Sequence, residues 1–202
     1  MSHDHSHGHE HDHDHDHAHS HGHTVPWGTD TARWYEPGWS DLLTRSALLA
    51  AELSAMDAVV DVSGHRVDAL STASAWVTRG RLIAVVSPDA KAAISAELTD
   101  HPAATRIAVQ AGTPEQLPTA DGAAGIILSL HAAPSWSDPA RCIAEMRRVL
   151  RPGGRLFIGA AVDDPAPMKA LLSDHGLRGV EARRYEDGER QMFLWLARRS
   201  WG

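Results

Sequence analysis

The chain is short of several things, and each shortage excludes a class. Of its 202 residues one is cysteine, Cys142. An intrachain disulfide is therefore impossible and a cysteine-based zinc site is close to excluded. No apolar run reaches the roughly 18 residues a transmembrane helix needs, so no membrane partner is expected. The opening stretch has no basic n-region and no apolar h-region. It does not read as a secretory signal, and a cytoplasmic location is the expectation. Lysine is scarce: Arg supplies 17 and Lys 2 of the 19 basic residues. No basic stripe marks a nucleic-acid face, so no nucleic-acid partner is expected. With 43% apolar and 22% charged residues, the composition is that of a globular chain and not of a fibrous or wholly unfolded one.

What the first 24 residues do have is histidine. It stands at every odd position from 3 to 23: His3, His5, His7, His9, His11, His13, His15, His17, His19, His21 and His23. Five acids (Asp4, Glu10, Asp12, Asp14 and Asp16) lie between them and no Lys or Arg, giving a formal charge of −5 against −2 for the remaining residues. Eleven imidazoles titrating near an ordinary pKa of about 6.5 make this charge pH-dependent. The stretch has nothing apolar to bury, so it reads as a disordered tail, residues 1–24, ahead of a folded domain over 25–202. In an extended chain alternate histidines project to one side about 6–7 Å apart, and two to four can gather around one ion. Imidazole suits zinc, nickel and copper, and affinity order alone does not choose among them. The tail resembles in composition the histidine-rich stretches of zinc transporters and of nickel- and zinc-handling chaperones.

After the junction at Pro26 and Gly28 the pattern alternates. Residues 41–54, 68–79, 89–99, 139–150 and 165–175 have helical character, with Asp68 and Asp89 as caps. Short apolar runs at 57–62, 81–86, 106–109, 125–130 and 155–160 read as strands. Residues 180–185 and 191–197 flank Glu186-Asp187-Gly188 and read as a hairpin. Strands interleaved with helices specify an α/β fold, a doubly wound and mostly parallel sheet with a C-terminal antiparallel hairpin. His101 and His175 fall near helix ends. Cys142 reads as packed, and Trp34, Tyr35 and Trp39 as a staple or a lid ahead of the first helix.

Residues 112–160 carry more specific information. Gly112, then Glu115-Gln116-Leu117-Pro118, the Asp121-Gly122 turn, an apolar strand ending in Ser129, Trp136 before Asp138-Pro139, and the run Glu145-Met146-Arg147-Arg148-Val149-Leu150-Arg151-Pro152-Gly153-Gly154 stand in order. This stretch resembles the second half of a class I S-adenosylmethionine-dependent methyltransferase of the small kind called type 11. The resemblance implies a Rossmann-like, seven-stranded sheet, S-adenosylmethionine as cofactor and a small-molecule substrate. It names no universal catalytic residue, because such enzymes work mainly by positioning.

The resemblance also implies where the cofactor sits, and there the residues differ. The family's Asp-x-Gly-x-Gly-x-Gly turn corresponds to Asp61-Val62-Ser63-Gly64-His65-Arg66-Val67, with Ser63, His65 and Val67 at the glycine positions. Such glycines let backbone N–H groups approach a ligand and permit positive φ. Bulky His65 and β-branched Val67 are expected to crowd a nucleoside. The acid that the family places at the end of strand two corresponds to Ser87, and the adenine-contacting acid after strand three to Thr113. Losing each such contact costs about 1.5–3 kcal/mol. The candidate cofactor residues are thus Asp61, Ser63, Gly64, His65, Ser87, Thr113, Ser129 and His131, with His65 and His131 converging on one pocket. No catalytic residue is assigned. The alternative is a non-catalytic protein of the same fold that buffers, senses or delivers zinc, nickel or copper through its tail.

Overall fold

The computed structural model describes residues 37–64, 66–187 and 190–201, with the side chains of 37–41, 187 and 190 left aside. The odd-numbered histidines from His3 to His23, His65, Trp34, Tyr35 and the side chain of Trp39 lie outside the described residues.

The elements run α1 (Pro37–Ala51), β1 (Ala58–Gly64), α2 (Asp68–Ala73), β2 (Arg81–Val86), α3 (Lys91–Leu98), β3 (Ile107–Ala111), β4 (Ala124–Leu130), α4 (Pro139–Val149), β5 (Leu150–Ala160), α5 (Ala166–Asp174), β6 (Leu177–Asp187) and β7 (Arg190–Arg199). They form one seven-stranded sheet in the order β3-β2-β1-β4-β5-β7-β6. The pairs from β3 through β5 are parallel. β7 is antiparallel to both of its neighbours. This is the doubly wound sheet with a terminal hairpin expected from the alternation.

Burial follows from the pattern. All seven residues of β4 are buried, as a strand covered on both faces must be. Ile126, Leu128 and Leu130 join one core with Leu43, Ala47, Leu70 and Ile94 from α1, α2 and α3. Ile127 joins the other with Ile143, Met146 and Leu172 from α4 and α5. Gly159 in β5 lets α1 approach, since a Cβ there would stand 2.9 Å from a Leu43 methyl. Among the described residues no helix is long and apolar enough to cross a membrane.

Several boundaries differ from the sequence pattern, for local reasons. α2 stops at Ala73, not near 79, because the chain must return to β1. The backbone N–H groups of Arg79 and Gly80 both donate to the Ala55 carbonyl at 2.8 Å. Gly80 lies so close to the Asp57 carbonyl that no Cβ fits. Asp68 does not cap α2; Val67 holds the cap position and Asp68 forms an ion pair with Arg66. Asp89 does not cap α3 either, since the Ser87 hydroxyl accepts from the Ala90 N–H at 3.3 Å. Asp138 does cap α4, accepting from the Arg141 N–H at 3.0 Å. The Arg151-Pro152-Gly153-Gly154 stretch ends α4 but runs on as extended chain, so β5 begins at Leu150 with an irregular register against β4.

Candidate cofactor site

Parallel sheets place ligand sites beyond the strands' carboxyl ends where the strand order reverses. Here that point lies between β1 and β4. β1 arrives through a buried run, Val59 to Ser63, and its last residue, Gly64, turns away with φ +88°. A Cβ built on Gly64 would meet nothing within 4 Å. The glycine that stands one position off the family spacing therefore supplies the left-handed turn and leaves space beside it.

Asp61 lies beneath this turn at 3% exposure. Its Oδ1 accepts from the Ser63 N–H at 2.8 Å and from the Ser63 hydroxyl at 2.5 Å. The same Ser63 oxygen accepts from the Leu130 N–H at 3.0 Å. A relay from Leu130 through Ser63 to Asp61 thus stitches β1 to β4 at the switch point. Burial pushes the Asp61 carboxyl up to about 6, and the two bonds from Ser63 only partly oppose it.

His131 follows β4 in a left-handed conformation, φ +65°, pinned by its N–H to the Gly159 carbonyl at 2.6 Å. Non-glycine residues rarely adopt that φ, and they cluster at functional sites. Asp61, Ser63, Leu130 and His131 line one small cavity together with Thr44 of α1 and Arg66. Its volume is about 30 Å³, the space of one water molecule and far below that of a nucleoside. The sequence pointed to three of these residues, Asp61, Ser63 and His131, and missed Thr44, Arg66 and Leu130. Thr44 carried one signal: the buried Ala47, Leu48 and Ala51 stand three, four and seven residues after it, a helical spacing that turns it to the inner side of α1.

The remaining candidates divide. Gly64, Val86 and Ala111 lie level across β1, β2 and β3, so Ser87 and Thr113 follow at the same edge of the sheet. Both are exposed. Ser87 is engaged in starting α3, and Thr113 pairs with Gln116 across a tight turn. Ser129 stands apart from the crevice. It is fully buried and alternates with Leu128 and Leu130, which places it on the opposite layer. Val67 does not crowd the crevice: its φ is −122° and it is buried in the core with Leu70 and Ala73. The convergence of His65 with His131 falls outside the described residues. His101 accepts from the Ala103 N–H through Nδ1 at 3.1 Å, while Nδ1 of His175 contacts the Leu171 carbonyl at 2.8 Å. Cys142 is fully buried, and burial pushes its thiol far above the ordinary range, which suits packing and not reactivity. Among the described residues no group of three or more His, Cys, Asp or Glu is placed to hold a metal ion.

Residues 69–158 match a family described as a methyltransferase domain, Methyltransf_11. The matched stretch starts after the β1 turn, which it does not include. The uncharacterized protein YafE of Escherichia coli K12 is 34% identical over 90 residues, 41% of this chain and 42% of YafE. The chain thus spans about two fifths of that relative. Among solved structures, a SAM dependent methyltransferase from Aquifex aeolicus superposes with a TM-score of 0.68 at 20% identity, covering 83% of this chain and 96% of that one. The [4+2]-cyclase SpnF superposes with a TM-score of 0.72 at 14% identity, covering 87% of each chain. These two likenesses are of fold.

S-adenosylmethionine is the cofactor that the family implies. The residues present fit it at the β1 turn, where Gly64 offers open backbone beside the buried Asp61. They offer less at the ends of β2 and β3, where Ser87 and Thr113 present neutral hydroxyls. The match over 69–158 makes that stretch similar to a methyltransferase domain, and the sheet order gives the chain the fold those solved structures share.

Proposed function

We propose that the chain is a small-molecule methyltransferase with a weakened hold on S-adenosylmethionine, and that its histidine-rich N-terminus binds divalent zinc, nickel or copper. The observation that carries the first part is Gly64: a left-handed turn with room at its Cβ position, three residues after the buried Asp61 at the switch point. Asp61 and Gly64 would hold the amino-acid end of the cofactor, and Ser87 and Thr113 would face its nucleoside. When bound, the cofactor supplies an electrophilic methyl group. The protein's part is to orient an acceptor in line with it, which needs no dedicated base.

A second reading, a non-catalytic metal-handling protein, is favoured by the eleven alternating histidines and by the Ser63 relay. That relay satisfies Asp61 internally. The cyclase likeness bears on the same choice, because function lives in the site and not in the fold.

Calorimetric titration separates the readings. We expect S-adenosylmethionine to bind more weakly than about 100 μM, each missing charged contact costing roughly a factor of ten or more. Ser87→Asp should tighten it. Micromolar affinity in the native chain overturns the weakened hold; no heat from either protein favours the second reading. In the same instrument the full chain should take up more than one zinc or nickel ion, and a chain beginning at Thr24 should lose most of that uptake. Equal stoichiometry removes the tail from the explanation.

A further inference from the structure

One row of residues crosses the whole sheet at a single level. Strand pairing sets Ile107, Leu82, Val59 and Ile126 side by side on β3, β2, β1 and β4. All four are buried in the core that α1, α2 and α3 share. The row continues with Arg155 of β5, Arg198 of β7 and Arg178 of β6. Paired residues on neighbouring strands project to the same face, so the three arginines stand on the side of the sheet that carries α1.

α1 packs on β4 and β5. Beyond it the row changes from apolar to cationic: Arg155 is half-buried, and Arg198 and Arg178 are exposed. Cβ atoms directly opposite one another lie about 4.5–5.5 Å apart, and like charges so placed repel. Among the described residues no carboxylate answers them. None of the three arginines has an ion pair or a side-chain hydrogen bond there, and Glu181, on the same face, is paired with Arg183 at 3.3 Å. No run in the sequence announces this row, because its members come from three strands.

We propose that the row is the docking site of this chain's own acidic segment, Glu10 to Asp16. Glu10, Asp12, Asp14 and Asp16 occupy successive even positions, and the first 24 residues hold no Lys or Arg. Side chains of an extended chain alternate, so these carboxylates face one way, about 6–7 Å apart, and the histidines of the odd positions face the other. Three arginines about 5 Å apart on long stems can meet three such carboxylates, each guanidinium taking one in a two-pronged bond. The reach suffices. α1 begins at Pro37, 21 residues after Asp16. A flexible chain of that length spans about 25 Å, against about 22 Å for the length of α1. The tether makes the encounter intramolecular, at an effective concentration of about millimolar. The histidines stay outward, so this docking rests on neither the metal binding nor the methyl transfer proposed above.

A nitroxide on Ser20→Cys in the full chain tests this; Cys142 is fully buried and stays unlabelled. At about pH 8, where histidine is neutral, in low salt and with a chelator present, the amide signals of Arg155, Arg178 and Arg198 should broaden several-fold relative to the reduced label. The signal of Lys91, an exposed cation on α3, should not. Asp12→Asn, Asp14→Asn and Asp16→Asn together should remove most of the broadening. So should Arg198→Gln, with an unchanged circular dichroism spectrum, and so should about 1 M salt, which shortens the Debye length to about 3 Å. Equal broadening at Lys91 means a segment drawn to cations at large and overturns the proposal. No broadening overturns it too, as does broadening that grows with protein concentration, which puts the segment on a second copy. A row that ignores the segment but takes up a short single-stranded oligonucleotide belongs to a phosphodiester partner and overturns it as well.

Discussion

The two halves of the sheet's working edge are built differently. On the α4 side, one arginine clips a whole loop in place. Arg148 donates to the carbonyls of Leu117 and Thr119 at 3.1 and 3.0 Å, and pairs with Asp121 at 2.6 Å and Glu145 at 2.8 Å. Glu145 in turn accepts from the Leu117 N–H at 3.0 Å. The bond from Arg148 holds its carboxyl below the usual range, with burial opposing. Glu115 accepts from the N–H and hydroxyl of Ser137. Burial works against its ionisation, yet the bonds from Ser137 and Thr113 outweigh that and hold its carboxyl low. On the β1 side there is one relay, one buried carboxylate pushed up to about 6, and two left-handed residues, Gly64 and His131. The residues by which the family is recognised do framing work. Those that would meet a ligand are where this chain departs.

The largest effect should come from removing the clip. Arg148→Ala strands two loop carbonyls and frees Glu145 and Asp121, so we expect a loss of about 2–4 kcal/mol in urea unfolding. A loss under about 0.5 kcal/mol would show that the loop holds itself, and the contrast between the halves would disappear.

The next effect has the opposite sign. An acid whose carboxyl is pushed up to about 6 in the fold, against 3.8 as its ordinary value, binds its proton more tightly folded than unfolded. Ionising it therefore penalises the fold. The penalty is absent below about pH 4, grows as pH rises toward 6, and is constant above. At 1.36 kcal/mol per unit it amounts to about 3 kcal/mol at pH 8. Asp61→Asn keeps an oxygen that can accept from Ser63 and removes the charge. It should raise stability at pH 8 by about 1–3 kcal/mol and flatten the profile between pH 4 and 6. A destabilised variant at pH 8 would mean that the charge is needed by its neighbours, and that the β1 side is as well satisfied as the α4 side.

Much of the frame was legible in the sequence because periodicity reports burial. β2 falls on the expected 81–86, and β4 begins one residue before the expected 125. Element ends were less legible, because they depend on partners far along the chain. α2 ends early because Ala55 and Asp57 draw the next turn back. The extended run from Leu150 is set by its pairing with β4. At the site, Asp61, Ser63 and His131 were legible as residues. Their relay was not, since Ser63 and Leu130 are 67 residues apart. Val67 was misread for a related reason: spacing within a turn does not say which side chain turns inward.

The smallest effect is also the most selective. Gly64→Ala meets no neighbour within 4 Å, so its cost is that of φ +88° alone, about 1 kcal/mol. Gly153→Ala, on the α4 side, has a similar φ of +74° but drives its Cβ within 2.3 Å of the Trp201 ring. That ring is 80% exposed and can swing away, so the two substitutions should cost nearly the same in unfolding. They should differ in binding. A methyl on Gly64 fills the room at the β1 turn and should reduce the affinity proposed above for S-adenosylmethionine several-fold, whereas a methyl on Gly153 should leave it unchanged. If both alanine variants bind as the native chain does, the space beside Gly64 is no cradle, and the β1 turn is left-handed only to let the strand descend into α2.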